Sequence, residues 1–463
     1  MNVLFVTPEC APLTKTGGLG DVSEALPAAL RALGHDVRVL LPGYSQVLEG
    51  MDSRERGRLD VLGFELKILE SKGFFILDCP ELYRREGGPY QDAAGDDWPD
   101  NPVRFGVLCK AAAMMGAIWP HEVVHCNDWP CGLVPVFLGR QGPRTVMTVH
   151  NVAFQGSFDA SYVARLGLPP ESFGMDGVEF HGAMSFLKGG LAYADAITTV
   201  SPAYAREIQT EALGFGMDGL LRHRAGALTG ILNGIDTTAW DPSTDGRIAR
   251  RYDCDSLEKK ELNKAALRER TGLEKQPDVP LLGVVSRLTW QKGTDLVAAA
   301  AEELLALPAQ LAVLGSGNHD HQEAFLSLEK RFKGKIAVKI GFDEDLAHLI
   351  EAGADLFLMP SRYEPCGLNQ MSSQRYGTPP VARATGGLVD TIADGETGFL
   401  FGPAEPAALA AAVRRGAALR RELPRWRALQ RAGMQRDFGW AASARRYAEL
   451  YARLAVDRPA AVP

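Results

Sequence analysis

No run of about eighteen residues in this chain is both apolar and uncharged, so no membrane-spanning helix is expected. The N-terminus, MNVLFVTPECAP, lacks the basic flank of a secretory signal and the arginine-rich character of a transit peptide. It turns polar after a strand-length apolar run, so no targeting segment is expected there. The seven cysteines (Cys10, Cys79, Cys109, Cys126, Cys131, Cys254 and Cys366) include no C-x-x-C pair and are odd in number, which speaks against a disulfide framework. Most sit in apolar runs, the setting of buried reduced thiols, and a cytoplasmic location is the expectation. Positive charge is not in excess: 50 Lys and Arg against 57 Asp and Glu leave a net charge of −7. That balance argues against a dedicated nucleic-acid binder and points to small or neutral partners. No repeat of fixed period is visible. Low complexity is confined to an Ala/Arg-rich stretch from Ala404 to Arg421, read as surface helix, and a Pro/Ala tail expected to fray.

What is present describes a globular, enzyme-like chain: 463 residues exceed one compact core and suit two domains. Short apolar runs alternate with longer helical patterns, the signature of βαβ units and a mostly parallel sheet. Strands are predicted at Val3–Val6, Val37–Leu41, Phe74–Leu77, Val123–Cys126, Thr145–Val149, Ala196–Val200 and Gly230–Leu232. The pattern restarts at Leu281–Val285, Gln310–Leu314, Ala337–Ile340, Leu356–Met359 and Pro380–Ala382. Two doubly wound α/β domains follow, residues 1–235 and 241–437, joined through Asn233-Gly234-Ile235-Asp236 and Trp240-Asp241-Pro242. The polar stretch Glu274–Pro280 is the rival boundary. Residues 438–463 form a last helix and tail. Trp440, Ala444, Tyr447, Leu450, Tyr451 and Leu454 share an apolar face that must be buried, and a return to the first domain would bury it.

The densest motif is Lys15-Thr16-Gly17-Gly18-Leu19-Gly20-Asp21, between the first strand and a helix whose apolar face is Val22, Leu26, Leu30 and Leu33, ended by Gly34. A glycine-rich turn of this kind presents backbone N–H groups and the positive end of a helix to an anion, and Lys15 adds a mobile charge. The spacing is neither the dinucleotide fingerprint nor a P-loop, so a phosphorylated ligand is as far as it goes. In the second half, Arg287 and Lys292 follow a strand end, where ligands of open α/β sheets bind; two cations there suit a diphosphate. Glu364 follows another strand end beside Pro365. It is placed to hold sugar hydroxyls or oppose positive charge on a sugar carbon, or else to cap the next helix. Gly386 and Gly387 repeat the glycine-then-helix device. Asp92, Asp96, Asp97 and Asp100 lack EF-hand spacing and are read as a polar loop, and His319-Asp320-His321 as a surface loop.

Taken in order, Lys15–Asp21, His125-Cys126-Asn127-Asp128-Trp129, Thr148-Val149-His150-Asn151, Asn233–Asp236, Ser286-Arg287-Leu288 with Gln291-Lys292-Gly293, Glu364–Leu368 and Gly386-Gly387-Leu388 resemble bacterial glycogen synthases and plant starch synthases along essentially the whole chain. The resemblance implies GT-B architecture: two Rossmann-like domains facing a cleft, with the C-terminal helix returning to the N-terminal domain. It implies retaining transfer of glucose from ADP-glucose to the non-reducing 4-OH of an α-1,4-glucan. Lys15, Arg287 and Lys292 would contact the donor phosphates, Gly18, Gly386 and Gly387 would lie against the donor, and Phe342 would lie near the nucleobase. His150 and Glu364 would hold the glucose, and Asp21 and Asp128 match acidic positions of the site. No metal or other cofactor is implied. The family usually carries Tyr where this chain has Ser372. Base preference, with UDP-glucose the other donor, and oligomeric state are not readable from spacing. A small-acceptor glucosyltransferase making maltose 1-phosphate is the nearest rival. A glucan phosphorylase, which needs a pyridoxal phosphate lysine, and a binding protein on a retired transferase fold are more distant.

Overall fold

The computed structural model describes residues 1–139 and 142–456, so the expected Pro/Ala tail falls outside the described residues. Two compact units emerge: residues 1–234 with the chain from Trp440 onward, and Ile235–Gly439.

The first unit is built on β1 (Asn2–Val6), β2 (Asp36–Pro42), β3 (Arg54–Val61), β4 (Phe64–Ser71), β5 (Phe74–Asp78), β6 (Val123–Asn127) and β7 (Arg144–Val149). A small antiparallel sheet of β8 (Ser157–Phe158), β9 (Glu179–Phe180) and β10 (Ala183–Ser185) follows, then β11 (Ala196–Thr199) and β12 (Leu228–Gly230). The main sheet runs β12-β11-β7-β6-β1-β2-β5-β4-β3. It is parallel from β12 to β5, as the buried Val/Leu/Ile runs demand, because strands covered on both faces need no polar alternation. The hairpin β3–β4 extends it antiparallel. Its sequence alternates as a half-buried strand should, with Leu66 and Ile68 inward. Leu62 and Gly63, both at positive φ (55° and 83°), form the two-residue turn that right-twisted strands prefer. This hairpin carries no sequence signal of the usual kind, because its turn is Leu-Gly rather than Asn-Gly.

Two expectations shift. The strand expected at Gly230–Leu232 ends at Gly230, against whose Cα the Ser201–Pro202 backbone packs. Leu33 is 42% exposed rather than on the buried face, because it caps the helix Gly18–Ala32 instead of completing its last turn. The final helix, Trp440–Val456, buries Trp440, Ala444, Tyr447 and Tyr451 in one cluster with Val3, Phe5, Leu26 and Val39, so the C-terminal helix does return to the N-terminal unit. It also makes polar contact: Ser443 Oγ donates to the Leu232 carbonyl. His125, fully buried in β6, lies 2.7 Å from the Tyr451 hydroxyl through Nδ1 and 2.6 Å from Thr148 Oγ1 through Nε2. Despite its place in a motif, His125 is therefore a core residue tying β6 and β7 to the last helix.

The second unit is one parallel sheet of β13 (Leu281–Val285), β14 (Gln310–Gly315), β15 (Ile336–Ile340), β16 (Leu356–Met359), β17 (Pro380–Arg383) and β18 (Phe399–Phe401), ordered β15-β14-β13-β16-β17-β18. Hydrophobic clusters cover both faces. The segment after Ile235 is anchored within this unit. Trp240 stacks on His348 at 4.0 Å, and the buried Asp245 accepts from His348 Nδ1 (2.8 Å) and the Tyr376 hydroxyl (2.6 Å). His319-Asp320-His321 is not a loop but the first turn of the helix His319–Arg331, with His321 Nδ1 at 2.7 Å from Thr294 Oγ1. Among the described residues no helix is long and apolar enough to cross a membrane.

Burial pushes the His125 imidazole down to about 3, whereas an unfolded chain protonates it near 6.5. The native state thus binds fewer protons between those values, and the contribution of the neutral ring is complete above about pH 6.5 and lost as pH falls toward 3. The stability gap between the parent protein and His125→Asn should narrow by about 1.4 kcal/mol per pH unit below that point. Thermal unfolding from pH 7 to pH 5 reads it; a constant gap would contradict the neutral, buried ring.

Candidate functional site

In the first unit the candidate residues stand past the carboxyl ends of β1, β6 and β7, three adjacent parallel strands. The loop after β1 carries Lys15, whose Nζ lies 2.7 Å from Asp21 Oδ1, both side chains partly exposed. Gly18 opens the helix that follows. The turn does hold an anion, but an internal one. Thr16 N and Gly17 N donate to Glu9 Oε2 at 2.6 and 3.2 Å, and the Tyr90 hydroxyl donates to Glu9 Oε1 at 2.9 Å. Burial raises the Glu9 carboxyl while those three hydrogen bonds oppose the rise. Neither Glu9 nor Tyr90 was marked by any spacing in the sequence.

Asp128 follows β6 at φ 55° and ψ 179°, a region almost reserved for glycine that costs about 1–3 kcal/mol and collects at functional sites. Its Oδ1 accepts from His150 N (2.7 Å) and Asn151 N (3.4 Å), so the carboxylate cements the turns after β6 and β7 together. Burial pushes Asp128 up to about 7 against those bonds, near the working range of a proton carrier. The His150 ring is pushed by burial down to about 3, so it is neutral at physiological pH. Its Nε2 lies 3.1 Å from Asn127 Oδ1, and the amide nitrogen of Asn127 donates to the Val6 carbonyl at 3.0 Å. That orientation makes Asn127 Oδ1 the acceptor, puts the proton on Nε2 and leaves Nδ1 as a hydrogen-bond acceptor. Asn127 lies inside the His125–Trp129 motif, yet its role shows only in the geometry.

In the second unit the candidates follow β13, β16 and β17, again neighbours in the sheet. Lys292 Nζ lies 2.9 and 2.7 Å from the two oxygens of Glu364, whose Oε2 also accepts from Ser361 Oγ at 2.9 Å. Glu364 is therefore an ion-pair partner and not a helix cap; the next helix starts at Asn369 behind Leu368. Arg287 is exposed and donates to Gln291 Oε1 at 3.2 Å. Arg362 holds Asp295 through both oxygens and donates to the Trp290 carbonyl, locking the Lys292 loop to the Glu364 turn. The turn at Gly386 and Gly387 closes on the same place: Gly387 N donates to the Glu364 carbonyl at 3.0 Å, and a Cβ on Gly387 would lie 2.0 Å from the Cys366 carbonyl oxygen. Phe342, after β15, is 89% exposed.

Three of the four aspartates considered for a metal are engaged elsewhere. Asp92 Oδ1 accepts from Ala94 N and Asp96 N, Asp97 accepts from Gln91, and Asp100 pairs with Arg85 through both oxygens. Among the described residues no group of three His, Cys, Asp or Glu side chains is placed to hold a metal ion.

Comparison with known proteins bears on this arrangement. Residues 2–223 match the model of the starch synthase catalytic domain, and residues 266–428 that of glycosyl transferases group 1. The chain is 50% identical to a glycogen synthase of Nitrosospira multiformis over 98% of its own length and 97% of that protein's. It is 52% identical to a glycogen synthase of Aromatoleum aromaticum over 97% and 96%. The catalytic domain of starch synthase IV from Arabidopsis thaliana, solved with ADP and acarbose, superposes with a TM-score of 0.85 at 31% identity, covering 98% of this chain and 99% of that one.

Gly387→Ala should be overpacked by about 1–3 kcal/mol and displace the Glu364 carbonyl with it. Activity should fall at least tenfold while the thermal midpoint drops by only a few degrees; full activity in the folded variant would contradict the tight approach to Cys366.

Proposed function

The chain belongs to the glycogen synthase and starch synthase family of glycosyltransferases, with the GT-B fold and a glucan-elongating glucosyltransferase activity, and from that premise we propose how its residues divide the work. The substrates are a nucleotide sugar and a glucan. The donor is ADP-glucose and glucose passes with retention to the non-reducing 4-OH of an α-1,4-glucan; the ADP bound in the plant relative supports the base. Breaking the glycosyl phosphate bond places charge on the leaving diphosphate and leaves an oxocarbenium-like sugar carbon. Lys15, Arg287 and Lys292 offset the first. The ion pair of Lys292 with Glu364 carries this reading, because it stores a cation at a strand end without leaving it unpaired in the free enzyme. When a phosphate oxygen arrives, the ammonium can be shared between phosphate and carboxylate, and Glu364 stays within reach of the sugar.

His150, neutral and with Nδ1 free to accept, is suited to a sugar hydroxyl and would not repel the cationic carbon. Asp21 and Asp128 are carboxylates of the same site, Asp128 by fixing the His150 turn. Gly18, Gly386 and Gly387 let backbone approach the donor, and the exposed ring of Phe342 offers a face for the base. The departing phosphate helps deprotonate the acceptor on the face it leaves. No cofactor or metal is required, since the three cations supply the charge a divalent ion would. The protein works in the cytoplasm, which suits seven cysteines that form no disulfide.

Glucose incorporation into glycogen tests the reading: ADP-glucose should support it and UDP-glucose should do so poorly, whereas the reverse order would overturn the donor assignment. Lys15→Ala, Arg287→Ala and Lys292→Ala should each lose about 2–4 kcal/mol of transition-state stabilisation, mainly in kcat. Unchanged turnover in all three would sink the phosphate roles. Turnover should survive exhaustive chelation; loss on EDTA restored by Mg²⁺ would contradict the metal-free account.

A further inference from the structure

Glu9 is 3% exposed, and the three hydrogen bonds of its carboxylate serve one purpose. Oε2 takes Thr16 N and Gly17 N, the two N–H groups that flank Lys15 on its C-terminal side, and Oε1 takes the Tyr90 hydroxyl. The surroundings hold this carboxylate from both ends. Thr7 Oγ1 donates to the Glu9 carbonyl at 2.9 Å and lies 2.9 Å from Ser23 Oγ in the helix Gly18–Ala32. Tyr90 is fixed by its own backbone: its carbonyl accepts from Trp98 N and Asn101 Nδ2, and the preceding Pro89 carbonyl accepts from the buried guanidinium of Arg104. The loop wraps closely enough that a Cβ on Gly20 would meet Lys15 Cγ at 3.0 Å and Glu9 Oε2 at 3.4 Å.

A glycine-rich turn that must be ready for a phosphate has a difficulty when the phosphate is absent, because its N–H groups converge with nothing to accept them. We propose that Glu9 is a positioning residue for glucosyl transfer: its carboxylate serves as a built-in anion that holds the Lys15–Gly20 turn in its ligand-ready shape, with Tyr90 as its clamp. Thr16 N and Gly17 N are thereby spent on the scaffold. The first-turn N–H groups of Gly18 and Leu19, which helix geometry leaves without intrahelical acceptors, together with the Lys15 ammonium, are what the turn offers a donor. This rests on the reading of Lys15 as a phosphate contact.

Two measurements test it. Hydrogen exchange over residues 13–20 reads the loop without reference to activity. In Glu9→Ala the amides of Thr16 and Gly17 should exchange at least about tenfold faster, while Glu9→Gln, whose amide oxygen can accept both N–H groups and whose NH₂ can donate to the Tyr90 oxygen, should keep them protected. Kinetics then read the consequence. Glu9→Ala should lower kcat by about 10–100-fold with little change in KM for ADP-glucose, Glu9→Gln should stay within about fivefold of the parent, and Glu9→Ala added to Lys15→Ala should cost less than about twofold more. Unchanged exchange in Glu9→Ala, equal impairment of Glu9→Gln with the loop still protected, or fully multiplicative losses in the double variant would each overturn the proposal. If Glu9→Ala frees the amides but Lys15→Ala alone leaves turnover intact, the phosphate role of Lys15 fails and the positioning of the turn stands. If Glu9→Ala does not fold, Tyr90→Phe replaces it: removing one of the three bonds should lower kcat about 3–10-fold with partial loss of protection, and no change in either would overturn the clamp.

Discussion

A parallel sheet packed on both faces has nowhere to put a charged group except past the ends of its strands, and that constraint organises each unit of this protein. The strands β1, β6 and β7 in one unit, and β13, β16 and β17 in the other, are neighbours in their sheets, so the turns that follow them come together by topology alone. Lys15, Asp128 and His150 share the first set of turns, and Lys292, Glu364 and Gly387 the second. Glycine is required where two such turns meet at backbone distance. Gly387 against the Cys366 carbonyl and Gly293, at φ 65°, against the Pro360 carbonyl are the two clearest cases.

The second consequence is electrostatic. Charges gathered at a half-buried strand end must be compensated before substrate arrives, or the free enzyme carries the desolvation penalty alone. Each charge here has a partner suited to being exchanged or kept. Lys292 rests on Glu364 and Lys15 on Asp21, pairs that a phosphate could enter. Glu9 sits on backbone N–H groups and Asp128 on those of His150 and Asn151, bonds that shape the turns themselves. His150 avoids the problem by remaining neutral, which burial enforces.

Much of this was legible in the sequence because it is written in local pattern. Apolar runs of strand length located the parallel strands to within a residue or two, except the three-residue edge strand β18, too short to stand out as a run, and the apolar face of the last helix required a partner that the first unit provides. The Leu62-Gly63 hairpin was not legible, since its strands carry charges on their outer face and its turn lacks the usual Asn-Gly. The placement of His125 in the core could not be told from its motif, because its partner Tyr451 is 326 residues away. Glu9 escaped for the same kind of reason: what makes it matter is Tyr90, brought to it by a loop that Trp98, Asn101 and the buried Arg104 hold in place. Long-range hydrogen bonds leave no periodicity behind.

The most direct test of the account is the stereochemistry of the bond it says this protein makes. Proton NMR of a maltooligosaccharide incubated with ADP-glucose and the enzyme should show new α-configured anomeric signals at internal 1,4-linkages, with one ADP released per glucose transferred. A β-configured product, or ADP release without a new glycosidic signal, would contradict it.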